Sequence, residues 1–458
     1  MFQTVAVPVW LLTLILAFAA VTFASHFLFP SVRWFFRRRA ERLVAELNKR
    51  LDRPIQPFKL LRRYDTIQRL IYDPKVIEAV ADHARKEGIP ENVAFERARD
   101  YAREIVPRFS PSSYFGFATR ATRWLSEALY DVEVDQGDPE AFTAIDRDAT
   151  IIFVMNHRSN MDYVLVTYLA ARHSALSYAV GEWARIWPLS SLIRSMGAFF
   201  IRRRSRNALY RRVLARYVQM ATRGGVTQAI FPEGGLSLTG RVEPPKLGLL
   251  SYILDDFDPE AGRDVVFVPV ALNYDRVLED RVLIEAAGTG ERRFRASIPQ
   301  AIAFAARFFW RRLIGRGRRF GRAGVAYGTP VSLVVLTRRG LQSPEAVGEV
   351  LMDAIRARVP VLPVPLVAQA LLAEDGTATE ETIAVRITDM IAGRDLAAET
   401  PETLARAGLA TLRTRRLLRH TDGRFEVAPD QSEVLAFYAR SIAHRTGLAG
   451  TAEKLTKT

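Results

Sequence analysis

Six histidines and no cysteine leave this 458-residue chain few side chains able to move a proton near neutral pH. One of them stands out. Asn156-His157-Arg158-Ser159-Asn160-Met161-Asp162 follows directly on the apolar run TIIFVMN that begins at Thr150. It sets an imidazole and a carboxylate five residues apart, at the point where a strand turns into a helix. Ligands of α/β folds collect at such sheet edges. Asp162, in the first turns of the helix, can reach back to one ring nitrogen. That contact would hold the tautomer and support the imidazolium, leaving the other nitrogen as a general base. A histidine alone would read as structural; the His-x4-Asp spacing is what suggests chemistry.

Two further segments carry anion-binding groups. Gly197-Ala-Phe-Phe-Ile-Arg202-Arg203 puts two arginines straight after a short apolar strand, where they can hold a phosphate. Ile230-Phe-Pro-Glu233-Gly234-Gly235 ends a second strand on a carboxylate and a flexible glycine pair. Arg241 and Lys246 lie just beyond and are further candidates for phosphate contact, on charge and position alone. Each cation taken singly would be a surface charge, and Glu233 a loop residue. Gly235-Leu-Ser237-Leu-Thr-Gly240 is not a Gly-x-Ser-x-Gly nucleophile elbow, and no Walker or dinucleotide glycine loop occurs. The lack of cysteine excludes thiolate nucleophiles, disulfides and Cys-based metal sites.

The elements that would position these residues alternate in type. Residues 40–109 read as helical. Strands are expected from Thr150, over Ala198–Ile201, Thr227–Phe231, Val265–Asn273 and Val325–Leu336, with helices over Tyr163–His173 and Leu209–Thr222 between them. Helices resume from Ser343, broken by Pro360, Pro363 and Pro365, and HTDGRF at His420–Phe425 reads as a small hairpin. The pattern implies an α/β layer structure with a central mixed sheet flanked by helices. The expected order is an anchor at 1–30, a helical region at 31–145, the α/β domain at 146–340 and a mostly helical region at 341–458.

The anchor rests on the run Val5–Phe29, which precedes the first charged residue, Arg33. It is long enough to cross a bilayer once, at roughly 20 residues per helical span. Arg33, Arg37, Arg38 and Arg39 follow it, which by the positive-inside rule keeps the rest of the chain cytoplasmic, at the inner membrane. The net charge is +15, and residues 291–322 hold ten arginines against one acid. Such a basic excess calls for an anionic partner, and beside an anchor the economical one is the membrane lipid surface rather than nucleic acid. Composition is otherwise globular, with 49% hydrophobic and 25% charged residues, which excludes a disordered or fibrous chain.

These segments together resemble the glycerolipid acyltransferase superfamily, in the branch of glycerol-3-phosphate and dihydroxyacetone-phosphate acyltransferases. Its four ordered blocks match NHRSNMD (Asn156–Asp162), GAFFIRR (Gly197–Arg203), FPEGG (Phe231–Gly235) and VPV (Val268–Val270). The resemblance implies an O-acyltransferase of phospholipid synthesis in which His157, supported by Asp162, deprotonates an acceptor hydroxyl that attacks an acyl thioester. Acyl-CoA or acyl carrier protein would be the donor, with no cofactor or metal. Glycerol 3-phosphate, acylated at sn-1, is the first expected acceptor. By the same resemblance Arg203 and Arg202 would grip the acceptor phosphate, Glu233 and Gly234 shape the acceptor site, and Pro269 belongs to the acyl-donor pocket. One departure bears on the acceptor. Leu236-Ser237-Leu238 stands where long bacterial members carry Arg-Ser-Arg, so lysophosphatidate is an alternative acceptor. A basic, membrane-bound interaction protein without catalysis is the alternative of another class.

Overall fold

The structure, a computed structural model, describes residues 8–18, 38, 42, 44–49, 51, 53–170, 175–181, 193–202, 205–260, 262–289, 319–394, 396 and 399–447. It divides into two compact units, 1–55 and 56–458. The expected boundaries near 146 and 341 therefore do not separate units: the helical regions on either side share one unit with the sheet.

In the first unit, residues 9–18 are helical, with Trp10, Leu14, Leu16 and Phe18 exposed. Most of the expected span, 5–29, lies outside the described residues. Among those described, no helix is long and apolar enough to cross a membrane.

The second unit is built on a mixed sheet of eight strands: β1 (Asp131–Asp135), β2 (Thr150–Met155), β3 (Ser177–Val180), β4 (Phe199–Phe200), β5 (Gln228–Ile230), β6 (Val265–Tyr274), β7 (Arg322–Tyr327) and β8 (Val331–Ser332). Their order is β1-β7-β6-β2-β5-β3-β4, with β8 also on β6. Strands β6, β2, β5, β3 and β4 run parallel, while β7 and β8 lie antiparallel to β6. Every residue of β2 and β6 is buried, which is why both read as unbroken apolar runs: helices cover both faces of a parallel sheet. Two strands went unexpected. β1 lies before the segment read as α/β, and its DVEVD carries no apolar run; β3 is only four residues long.

The expected strand Val325–Leu336 ends early. It breaks at residues 328–330, where the register on β6 shifts by one residue: Tyr327 of β7 pairs with Val270, but Val331 of β8 pairs with Phe267. Ser332 then caps a helix, Leu333–Arg338, by accepting from the Val335 amide. Val and Leu there suit either state; the serine cap decides. Further on, Pro363 opens the helix Pro363–Ala373 rather than breaking one, as its locked φ and missing N–H suit a first turn. The hairpin forms as expected from β10 (Leu418–Thr421) and β11 (Arg424–Val427). Asp422 and Gly423 both take positive φ in its two-residue turn, and β9 (Thr377–Thr379) adds a third strand.

Candidate active site

His157 lies just past the C-terminal end of β2, and Asp162 in the first turn of the helix Met161–Ala170. The ring's Nδ1 is 2.8 Å from Asp162 Oδ2. The same oxygen accepts the backbone amides of Arg158 (2.7 Å) and Ser159 (3.0 Å), and the other accepts the Tyr274 hydroxyl (2.6 Å). These four contacts fix a carboxylate with no solvent exposure in one position. With Nδ1 engaged, Nε2 is the nitrogen able to take a proton. Phe231 stacks on the imidazole at 4.2 Å between centroids, and Tyr163 meets it edge-on at 5.3 Å.

Glu233 joins this centre through its neighbour's backbone: its Oε1 accepts the His157 amide at 3.0 Å. Burial pushes its carboxyl up to about 8, against the opposing pull of that amide and of Arg158. Its Oε2 is buried with no partner among the described residues, as are Nε and Nη2 of Arg158. Gly234 takes φ +64°, and a Cβ there would sit 2.8 Å from Lys246 Cδ, so the glycine both makes the turn and lets the lysine stem cross it. The Lys246 amide closes that turn on the Pro232 carbonyl (2.7 Å).

The other expected residues fall in different places. Arg202 is committed elsewhere. It forms a two-pronged pair with Glu104 (2.9 and 2.6 Å) and lies 5.3 and 5.5 Å from the ring centres of Tyr101 and Tyr210, so the structure gives it a carboxylate partner rather than an open phosphate-binding fork. Arg203 lies outside the described residues. Arg241 is half-buried, and its carbonyl accepts the Ser237 hydroxyl at 2.6 Å. Pro269 is buried within β6 beside Val154 of β2. Leu236 is buried and Leu238 half-buried.

Sequence reasoning missed three supports. Tyr274 ends β6 and reaches Asp162. Glu279, in the loop after β6, accepts from Ser159 Oγ (2.8 Å) and from both the amide and side chain of Asn160 (3.2 and 3.0 Å); burial raises its carboxyl above the ordinary value. Tyr438 holds that loop, accepting the Val277 amide (2.9 Å) and donating to Asp280 (2.6 Å), which Arg415 also pairs. All three lie over 100 residues from the motif they serve, so no local spacing points to them.

Residues 139–273, which include His157, Asp162, Glu233 and Pro269, match the family described as Acyltransferase. This segment of the chain is similar to acyltransferase domains. Among the relatives of this chain, the protein of Pseudomonas entomophila (strain L48) named glycerol-3-phosphate acyltransferase is 29% identical over 375 residues, covering 77% of this chain and 44% of that one. The like-named protein of Actinobacillus succinogenes is 30% identical over 289 residues, covering 61% and 34%. The chain thus spans less than half the length of these relatives. A solved 1-acyl-sn-glycerophosphate acyltransferase from Thermotoga maritima aligns at 20% identity and a TM-score of 0.33, covering 53% of this chain and 76% of that one.

Proposed function

We propose that this acyltransferase moves a fatty acyl group from acyl-CoA or acyl carrier protein to the sn-1 hydroxyl of glycerol 3-phosphate. The observation that carries the reading is the buried His157–Asp162 pair, with Asp162 held by four donors. His157 Nε2 takes the proton of the acceptor hydroxyl as its oxygen attacks the thioester carbonyl. The tetrahedral intermediate collapses by breaking the C–S bond, and the imidazolium returns the proton to the departing thiolate. No acyl-enzyme forms. Glu233 Oε2 and the spare Arg158 donors offer contacts to the acceptor, with Arg203 and Lys246 as cations for its phosphate. The name carried by relatives over 77% of the chain supports the acceptor.

A second reading takes lysophosphatidate as acceptor. It is favoured by Leu236 and Leu238, whose apolar side chains follow the Glu-Gly-Gly turn and suit an acceptor that already bears an acyl chain. Localisation belongs to the same proposal: an N-terminal anchor at 5–29 holds the body on the cytoplasmic face of the inner membrane, with residues 291–322 against anionic lipid.

Initial rates on glycerol 3-phosphate, lysophosphatidate, dihydroxyacetone phosphate and free glycerol, each with both thioester donors, test the reading. Glycerol 3-phosphate is expected to lead and glycerol to fail, since losing the phosphate leaves site cations unpaired. Arg203→Ala is expected to weaken glycerol 3-phosphate selectively. A lead for lysophosphatidate installs the second reading, and rates indifferent to the phosphate overturn both.

A further inference from the structure

At the opposite edge of the sheet lies a cavity of about 200 Å³ lined by Lys59, Arg62, Arg63 and Arg108, with Ser177 of β3 and Tyr217 at its wall. Ser177 is level with Ile152 of β2, since both pair with Gln228 of β5. His157 is five residues farther along, roughly 16 Å in the strand direction at about 3.3 Å per residue. The cavity is separate from the catalytic imidazole.

Its cations are crowded, and among the described residues no carboxylate forms an ion pair with them. The Lys59 ammonium is drawn inward to the Ala175 carbonyl (2.6 Å) and sits 4.6 Å from the centre of the Phe109 ring. Desolvation pulls its pKa well below the ordinary lysine value, and no carboxylate opposes the shift. Arg63 is held by the Val106 carbonyl at 3.0 Å and by that of Arg103. The charges acting on it are those of Arg194, Arg108 and Arg103, all of its own sign. Nearby acids are engaged elsewhere: Asp100 with Arg103 on the exposed side, Glu104 with Arg202.

The chain also makes room for this arrangement. Gly197, the first residue of GAFFIRR, takes φ +89°, and a Cβ there would stand 3.2 Å from Lys59 Cε and 3.1 Å from the Phe109 ring. A side chain at 197 would push the lysine out. Gathering cations around a part-buried cavity is costly unless an anion completes it. A carboxylate offers one charge and two oxygens. A phosphate group brings up to two charges and three acceptor oxygens, which suits donors arriving from several directions.

We infer that this cavity is a phosphate-binding site, distinct from the acceptor site, that takes a phosphate mono- or diester. It stands independently of the acyl-transfer reading.

Calorimetric titration of the full chain in detergent with inorganic phosphate tests it, using Lys59→Met, Arg108→Gln and Lys246→Ala. Lys59→Met is expected to raise Kd at least tenfold, since a charged hydrogen bond to the phosphate is lost. Arg108 is exposed, so Arg108→Gln keeps the fold while still weakening binding several-fold. Lys246→Ala, at the catalytic edge, is expected to leave this binding in place. Repeating the titration in nanodiscs of phosphatidylcholine, with and without phosphatidylglycerol, separates two sources of the anion. Phosphatidylglycerol raising the Kd through Arg108 supports a lipid headgroup; indifference to it supports a free phosphate ester. An unchanged Kd in both cavity variants, loss of binding only in Lys246→Ala, or no phosphate binding at all overturns the site.

Discussion

At the residue scale, the proposed catalytic centre is a histidine placed by what holds its partner. Asp162 takes one imidazole contact, two amides and the Tyr274 hydroxyl, so it can orient His157 without moving. His157→Ala is expected to cut acyl transfer by about 10²–10⁴-fold, the usual worth of general-base help, with the circular dichroism spectrum unchanged. Asp162→Asn keeps one acceptor oxygen but not the charge, and a smaller loss in the same assay is expected. More than half the wild-type rate in His157→Ala would contradict the mechanism. Glu233 supplies a pH signature. From the ordinary carboxyl range up to about 8 the folded chain keeps a proton that the unfolded chain has released, so this residue makes stability fall as pH rises through that window. The slope is roughly 1.4 kcal/mol per pH unit where both conditions hold. Glu233→Gln, which still accepts the His157 amide, is expected to remove that part of the slope. Urea midpoints at pH 5.5, 6.5 and 7.5 measure it, and parallel slopes in variant and wild type would refute it.

At the scale of elements, the motif loops are braced by the C-terminal helix Ser432–Arg440. Arg440 Nε donates to the Thr239 carbonyl (2.8 Å), and Arg158 donates to the Gly240 carbonyl while lying 5.1 Å from the centre of the Phe437 ring. Gly240 takes φ +89°, and the Phe437 carbonyl oxygen stands where a Cβ would go, so any Cβ would collide with backbone. Gly240→Ala is therefore expected to destabilise the chain by at least about 2 kcal/mol, combining positive-φ strain with a displaced helix. Activity should fall with it, because the displaced loop leads back to the Glu233 turn. Thermal unfolding and acyl transfer on one preparation check both, and a variant with wild-type midpoint and rate would refute the bracing.

At the scale of the whole molecule, the break at residue 55 has a direct consequence. Residues 56–458 hold the sheet, the flanking helices and the second, three-stranded sheet in one compact unit. Deleting 1–55 is expected to leave a cooperatively folding body whose unfolding midpoint lies within about 5 °C of the full chain. Residues 291–322 remain, so this body is also expected to bind anionic vesicles at low salt and leave them at high salt, as screening shortens the reach of its arginines. Calorimetry and vesicle flotation at two salt concentrations read the two outcomes. A body that aggregates unfolded would contradict the first, and one that ignores anionic vesicles would contradict the second.

The local pattern by itself determined the His157–Asp162 contact, the Glu-Gly-Gly turn and most sheet strands. Each depends on neighbours in the chain: β2 and β6 announce burial on both faces, and His-x4-Asp spans one strand–helix junction. The Asp-Gly turn of the hairpin is legible for the same reason, since both residues must accept positive φ. Only the tertiary structure decided who supports the pair. Tyr274, Glu279 and Tyr438 carry no periodicity or spacing relative to residues 156–162, and they meet them because β6 lies beside β2 and the last helices pack over the loop that follows. It also separated the arginines, which look alike in sequence. Arg202 is neutralised by Glu104, while Arg63 and Arg108 stand among like charges around a cavity. The partner of a charge depends on which helix is laid beside it, and that is settled by packing of the whole core.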